Sequence, residues 1–177
     1  MTTVQDGPVS SPHTLVVVRH AKAEPYADTD YDRRLTRRGH TEAASAAEFL
    51  ASTGLRPDTA LVSAAVRAVE TWGHLREATG SAEADPSEEL YSASADEVLD
   101  AVRKLPETAA SAVYVGHNPA AGSFAYSLND GEGDPAVVRG LLEGFPTAAV
   151  AVFRLPGSWA DLEEGTARLL HFHAPGR

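Results

Sequence analysis

The chain has 177 residues, 43% hydrophobic and 23% charged, the ordinary balance of a globular domain; a wholly disordered chain is excluded. With 15 Lys and Arg against 25 Asp and Glu the formal net charge is −10, which argues against nucleic acid or an anionic membrane as partner through bulk charge. Cysteine is absent, so disulfides, thiolate metal sites and a cysteine nucleophile are excluded, and no apolar run approaches the roughly 20 residues that span a bilayer.

Residues 1–13 (MTTVQDGPVSSPH) are small, polar and punctuated by proline, and lack the basic and apolar regions of a secretory signal. They read as a flexible tail before one domain over 14–177, and a soluble cytoplasmic protein is the expectation. Thr14 to Val18 is an unbroken β-branched and apolar run, as in a strand buried on both faces, and it ends in Arg19-His20. Residues 21–35 lack periodicity and read as a loop. Thr36 caps a helix over 37–53, with Ala43, Ala44, Ala47, Phe49 and Leu50 on its apolar side and Gly54 at its end. A short strand follows over 59–62, ending at Ser63, and a helix over 65–79 stops near Gly80.

Residues 81–93 read as an acidic loop with a short extended piece at Leu90-Tyr91. Ser94 and Glu97 have capping-box spacing for a helix to Leu105, closed by Pro106. Ser111 to Val115 is a second buried-strand run, ending in Gly116-His117-Asn118-Pro119, with Asn118 as N-cap, Pro119 as first helical residue and a helix to Leu128. Residues 129–146 are rich in Gly, Asp and Pro, a mobile surface loop with a helical turn over 137–142. Strands over 147–155 and 167–172, joined at Pro156-Gly157, close the chain. Alternating strands and helices predict an α/β class: a mostly parallel sheet between helical layers, with the last two strands antiparallel at an edge.

Ligands of such sheets sit beyond the carboxyl ends of the strands. Three of those ends carry chemistry: Arg19 and His20; Ser63 leading to Arg67 in the first turn of a helix; and His117 before another helix. Two imidazoles, two guanidiniums and a helix N-terminus describe a site for a dianionic phosphoryl group. Neighbouring arginines keep an imidazole neutral and neutralise the oxygens of a transferring phosphoryl group. A phospho-His20 intermediate followed by hydrolysis needs no metal and no other cofactor.

Five blocks in order, VVVRHAKA (16–23), RLTRRG (34–39), LVSAAVRAVET (61–71), ELYSAS (89–94) and VGHNP (115–119), resemble the histidine phosphatase superfamily, also called phosphoglycerate-mutase-like, and within it the SixA-like phosphohistidine phosphatases. The resemblance covers roughly residues 14–155. It implies a three-layer α/β/α fold, His20 as the phosphorylated nucleophile, Arg19 and Arg67 as phosphate clamps, His117 as the second histidine of the pocket, and Ser63 as an added hydrogen-bonding group. Ala21 stands where many members have glycine. The glutamate acid of mutases and many small-molecule phosphatases has no counterpart: Ser92 aligns there, with Glu89 a few residues early. That gap favours a phosphohistidine, whose protonated imidazole leaves readily, over a phosphate monoester. Asp28, Asp30 or Asp32 remains open as an acid from the first loop. The short chain leaves little length for a segment over the pocket, which suits a histidine displayed on another protein.

The leading expectation is therefore a metal-independent phosphatase acting on protein phosphohistidine. The alternatives are a phosphatase of small phosphomonoesters and a non-catalytic phospholigand-binding module. Lys22 reads as a rim charge, and Trp72 and Trp159 as packing residues. His171 and His173 share a face of a strand at a spacing that binds metals, but no third ligand is evident. His40 and His74 fall on helices, partly exposed.

Overall fold

The computed structural model describes residues 12–176, so most of the predicted tail lies outside the described residues. The strands are β1 (Thr14–Arg19), β2 (Thr59–Val62), β3 (Ser111–Gly116), β4 (Val150–Arg154) and β5 (Arg168–His173). The helices are α1 (Arg37–Ser52), α2 (Val66–Thr79), α3 (Ala95–Arg103), α4 (Ala120–Leu128) and α5 (Pro135–Leu142). The strands form one sheet in the order β2-β3-β1-β4-β5. β3 runs parallel to both β1 and β2, β4 runs antiparallel to β1, and β5 antiparallel to β4 at the edge.

Burial on both faces explains the apolar runs. Val16 and Val18 of β1 face α1 and α2, in a cluster with Leu50, Trp72 and Leu75. Leu15 and Val17 face the opposite layer, with Val98 of α3, Phe124 of α4 and Leu141 of α5. All four of these β1 side chains are fully buried. Each such burial contributes about 1.5–3 kcal/mol, so β1 is held on both faces, and a one-residue slip would force each set into the layer packed for the other.

His13, placed by sequence in the flexible tail, belongs to the folded body. Its ring is buried and stacks on Trp159 at 4.6 Å, and its carbonyl accepts from the Leu155 amide. Thr36 caps α1 through a bond from the Gly39 amide, and the Ser94/Glu97 capping box opens α3. Leu90-Tyr91 is not extended: Glu89–Tyr91 form a 3-10 turn that buries Leu90 against α3 and α4. Pro119 is the N-cap of α4 rather than its first residue, while Asn118 still caps by accepting from the Gly122 amide. The helical turn expected near 137–142 is an eight-residue helix whose start is fixed by Asp134 and Pro135. The closing strands are shorter than or shifted from the predicted runs, because Thr147 to Ala149 form a turn with Ala148 at φ 56°.

Candidate active site

The parallel register places Arg19 beside Gly116, so the ends of β1 and β3 deliver His20 and His117 to the same edge of the sheet. The two rings lie 5.0 Å apart, centre to centre. Backbone bonds fix both: the His20 amide donates to Gly116 O (2.9 Å), and the Ala121 amide donates to His117 O (2.7 Å). The Ala148 amide reaches Arg19 O and His20 O, both at 3.1 Å. Ala148 is fully buried and non-glycine at positive φ, a strain of about 1–3 kcal/mol of the kind retained where backbone must be held at a site.

The imidazole of His20 has a defined tautomer. Nδ1 lies 2.8 Å from Ala21 O, which only accepts, so Nδ1 carries the proton and Nε2 keeps its lone pair. Ala21 is held in turn: its amide donates to Thr71 Oγ1, and Thr71 donates to Arg67 O one turn earlier in α2. His20 is 8% exposed. Burial, with His117, Arg67 and Arg19 close by, pushes its pKa down to about 3 against the pull of the Ala21 carbonyl. His117 is pushed down to about 4, first by burial and then by Arg67. Both imidazoles are neutral at neutral pH.

Arg19, His20, Arg67 and His117 line one cavity of ≈ 260 Å³, together with Lys22, Ala23, Arg33, Asn118 and Thr147. No carboxylate is among these lining residues. Ser63 stands behind the cavity, fully buried, with Oγ 2.7 Å from His117 Nε2. Among the described residues, Arg19 Nε, Arg67 Nε and His117 Nδ1 are buried with no hydrogen-bond partner. Leaving such buried polar atoms uncompensated costs about 1–3 kcal/mol each, a cost natural proteins retain where a ligand meets the groups. The cavity therefore combines a neutral imidazole lone pair with four cationic side chains.

The sequence-derived set of five thus converges, four residues on the cavity wall and Ser63 behind it. Sequence reasoning missed Arg33, Asn118 and Thr147. Arg33 directly precedes the RLTRRG block, which was the available signal; nothing in the sequence marked Thr147. The first-loop aspartates separate. Asp30 is bound to Arg67, Arg33 and Tyr91, and the Tyr91 hydroxyl, with Arg67 and Arg33, holds its carboxyl well below the usual carboxylate range. Asp28 and Asp32 are exposed and do not line the cavity. Glu89 lines a different hollow of ≈ 420 Å³, with Leu61 and Leu90.

The remaining four histidines lie outside this cavity, His40 and His171 exposed and His74 and His173 half-buried. His173 stacks on Phe49 at 4.8 Å and lies 3.3 Å from Ser45 Oγ, and His171 meets the edge of Phe49. His40 Nδ1 lies 3.0 Å from His74 Nε2 across α1 and α2. Among the described residues no group of three or more His, Cys, Asp or Glu is placed to hold a metal ion, and no helix is long and apolar enough to cross a membrane.

Residues 15–118 match the family model of the histidine phosphatase superfamily (branch 1). An uncharacterized protein of Mycobacterium tuberculosis, Rv1276c, is 38% identical over 161 residues, covering 89% of this chain and 99% of that protein. The structure of a candidate phosphohistidine phosphatase SixA from Nakamurella multipartitia superposes with TM-score 0.81 at 31% identity, covering 96% of this chain and 99% of that one. A phosphoglycerate mutase from Plasmodium falciparum shares the fold, with TM-score 0.60 at 14% identity over 94% of this chain and 96% of its own. The five-stranded sheet is accordingly phosphoglycerate-mutase-like, and the chain belongs to the histidine phosphatase superfamily as a SixA-like phosphatase.

Proposed function

We propose that the protein hydrolyses phosphohistidine on other proteins, through a covalent phospho-His20 intermediate. His20 Nε2 attacks phosphorus as the P–N bond to the substrate imidazole breaks, and that imidazole departs with a proton. Water then attacks phospho-His20, releasing inorganic phosphate and returning the neutral ring. Arg19 and Arg67 clamp the phosphoryl oxygens, His117 completes the pocket, and Ser63 orients His117. Metal is not needed for this sequence, because guanidiniums supply the charge neutralisation.

The observation that carries the substrate class is the absence of a carboxylate among the residues lining the His20 cavity. A monoester leaves as an alkoxide and needs a proton donor at the leaving oxygen, whereas a ring-protonated imidazole leaves without one. Asp30, the first-loop carboxyl bonded to Arg67, is held ionised and has no proton to give at neutral pH. The SixA named among the similar structures points the same way. We place the activity in the cytoplasm, on a phosphorylated protein partner.

Brief mixing with labelled phosphohistidine peptide and an alkaline quench should trap label on the wild-type protein and none on His20→Ala. Turnover of the peptide should exceed that of sugar phosphates and survive a chelator. Equal label on His20→Ala would remove the covalent intermediate. Faster turnover of the sugar phosphates would shift the assignment to small phosphomonoesters, and phosphate binding without any hydrolysis would leave a binding module.

A further inference from the structure

The loop between β1 and α1 contains a hydrogen-bonded hub. Asp30 sits there with its side chain 54% exposed, yet its carboxylate accepts three hydrogen bonds and pairs with one further nitrogen of Arg33. Oδ2 takes the Tyr91 hydroxyl at 2.6 Å and Arg67 Nη2 at 3.0 Å. Oδ1 takes Arg33 Nε at 2.9 Å and lies in ion-pair contact with Arg33 Nη2, also at 2.9 Å. The Asp30 carbonyl takes Arg67 Nη1 at 2.7 Å. Both arginines line the cavity that holds His20. Tyr91 is braced in turn, edge-on to Tyr31 at 5.4 Å and to His117 at 5.7 Å, with Arg67 Cζ over its ring at 5.9 Å.

We propose that Asp30 and Tyr91 are positioning residues for phosphoryl transfer: they hold the guanidinium planes of Arg67 and Arg33 in register with His20. This rests on the reading of the His20 cavity as the phosphoryl-transfer site. Arginine has long, rotamer-rich side-chain torsions, and its advantage over a point charge is a fork of donors in fixed geometry. That advantage is realised only if the plane is held before the substrate arrives. Arg67 is well placed for this, since its side chain is only 6% exposed and both of its Nη atoms are bound to Asp30. An exposed aspartate–arginine pair on its own orders little. Here the short charge-assisted bond from Tyr91 fixes the carboxylate, and Tyr91 also touches His117, so one phenol links the second arginine to the second histidine. The loop has a separate anchor, the Val66 amide donating to Tyr31 O at 3.1 Å, so removing the carboxylate leaves the loop attached to the start of α2.

The test uses Asp30→Ala, Tyr91→Phe, Arg67→Ala and the double variant Asp30→Ala/Arg67→Ala, each checked for an intact urea unfolding transition. Two quantities are read: the affinity for inorganic phosphate by calorimetry, and the single-turnover rate of His20 phosphorylation. Tyr91→Phe keeps the ring and every formal charge and removes only the hydroxyl. We expect it and Asp30→Ala each to slow phosphorylation by about tenfold and to weaken phosphate binding, a smaller loss than the roughly hundredfold for removing Arg67 itself. In the Arg67→Ala background, Asp30→Ala should cost no more than about twofold, the share left to Arg33, because the buried guanidinium that Asp30 holds is gone. Fully additive losses would overturn the proposal. So would tighter phosphate binding in Asp30→Ala, which would make Asp30 a competitor for Arg67, or unchanged rates in Tyr91→Phe. The phosphate arm needs no phosphohistidine turnover. A wild-type protein that fails to turn over phosphohistidine would therefore refute the substrate assignment, while the phosphate affinities still decide the role of Asp30 and Tyr91.

Discussion

Gly39 and Gly73 both lie inside helices, and the same Gly→Ala substitution should change stability in opposite directions. In an exposed helix interior Ala is favoured over Gly by roughly 0.8–1 kcal/mol. At Gly73 of α2 an added methyl meets nothing within 4 Å, so Gly73→Ala should stabilise by about that amount. At Gly39 of α1 the methyl would fall on the Lys22 carbonyl oxygen, 2.9 Å from its carbon and 3.3 Å from Leu35 Cβ. That oxygen accepts from the Thr36 amide at 2.9 Å and the Thr36 hydroxyl at 3.3 Å, so the helix start and the strand-end segment cannot separate without losing both bonds. Overpacking of about 1–3 kcal/mol plus a lost hydrogen bond of about 1 kcal/mol outweighs the propensity gain, leaving a net loss of about 1–3 kcal/mol. For a chain of this size that lowers Tm by about 2–12 °C, against a rise of about 2–4 °C for Gly73→Ala. Thermal and urea unfolding of the two variants measure both signs. Lys22 is two residues from His20, so Gly39→Ala should also slow single-turnover phosphorylation, while Gly73→Ala should not. Stabilisation by Gly39→Ala, or a change within about 0.5 kcal/mol, would refute the steric reasoning.

Acid should destabilise the protein through its two site histidines. The folded pKa of His20, about 3, lies below its ordinary 6.5, so between those values the unfolded chain binds a proton that the folded chain refuses. Stability is then complete above about pH 7 and falls as pH drops through 6.5, with His20 contributing a loss on the order of 2 kcal/mol by pH 5. His117 acts in the same sense. Urea titrations at pH 7.5 and 5 measure this, and a His20→Gln variant with the same pH slope as wild type would contradict it. Ser63→Ala removes the protein partner of His117 Nε2, leaving an imidazole whose Nδ1 is already unpaired. We expect a loss of about 1–2 kcal/mol in urea unfolding and about a tenfold slower phosphorylation; a rate equal to wild type would mean that Ser63 does not orient His117.

Much of the site was legible because its residues follow strand ends. Apolar runs located β1 and β3, and the polar residues that end them, Arg19-His20 and His117, follow from position alone. Parallel pairing at matched lengths then brings those ends together, as the Arg19–Gly116 register records. The helix starts were legible for a local reason: Thr36 and the Ser94/Glu97 box bond within three residues of themselves. Where a contact crossed the fold, the sequence was silent. The bonds from Tyr91 and Arg67 to Asp30 span 61 and 37 residues, and Asp30 looked no different from Asp28 or Asp32. The turn at Glu89–Tyr91 was misread as extended because Leu90 obeys its burial against α3 and α4 rather than a local period.

Short-range pattern in the sequence was enough for the α/β class, the order of elements, the superfamily and four of the side chains that line the cavity, Arg19, His20, Arg67 and His117. Tertiary packing was needed to settle which aspartate is committed to Arg67, that Ser63 bonds to His117, that Arg33 and Thr147 join the wall, and that burial, ahead of the arginines, keeps both imidazoles neutral. Those outcomes depend on desolvation and on charges brought within a few ångströms by packing, quantities that do not exist until distant segments share one enclosed space.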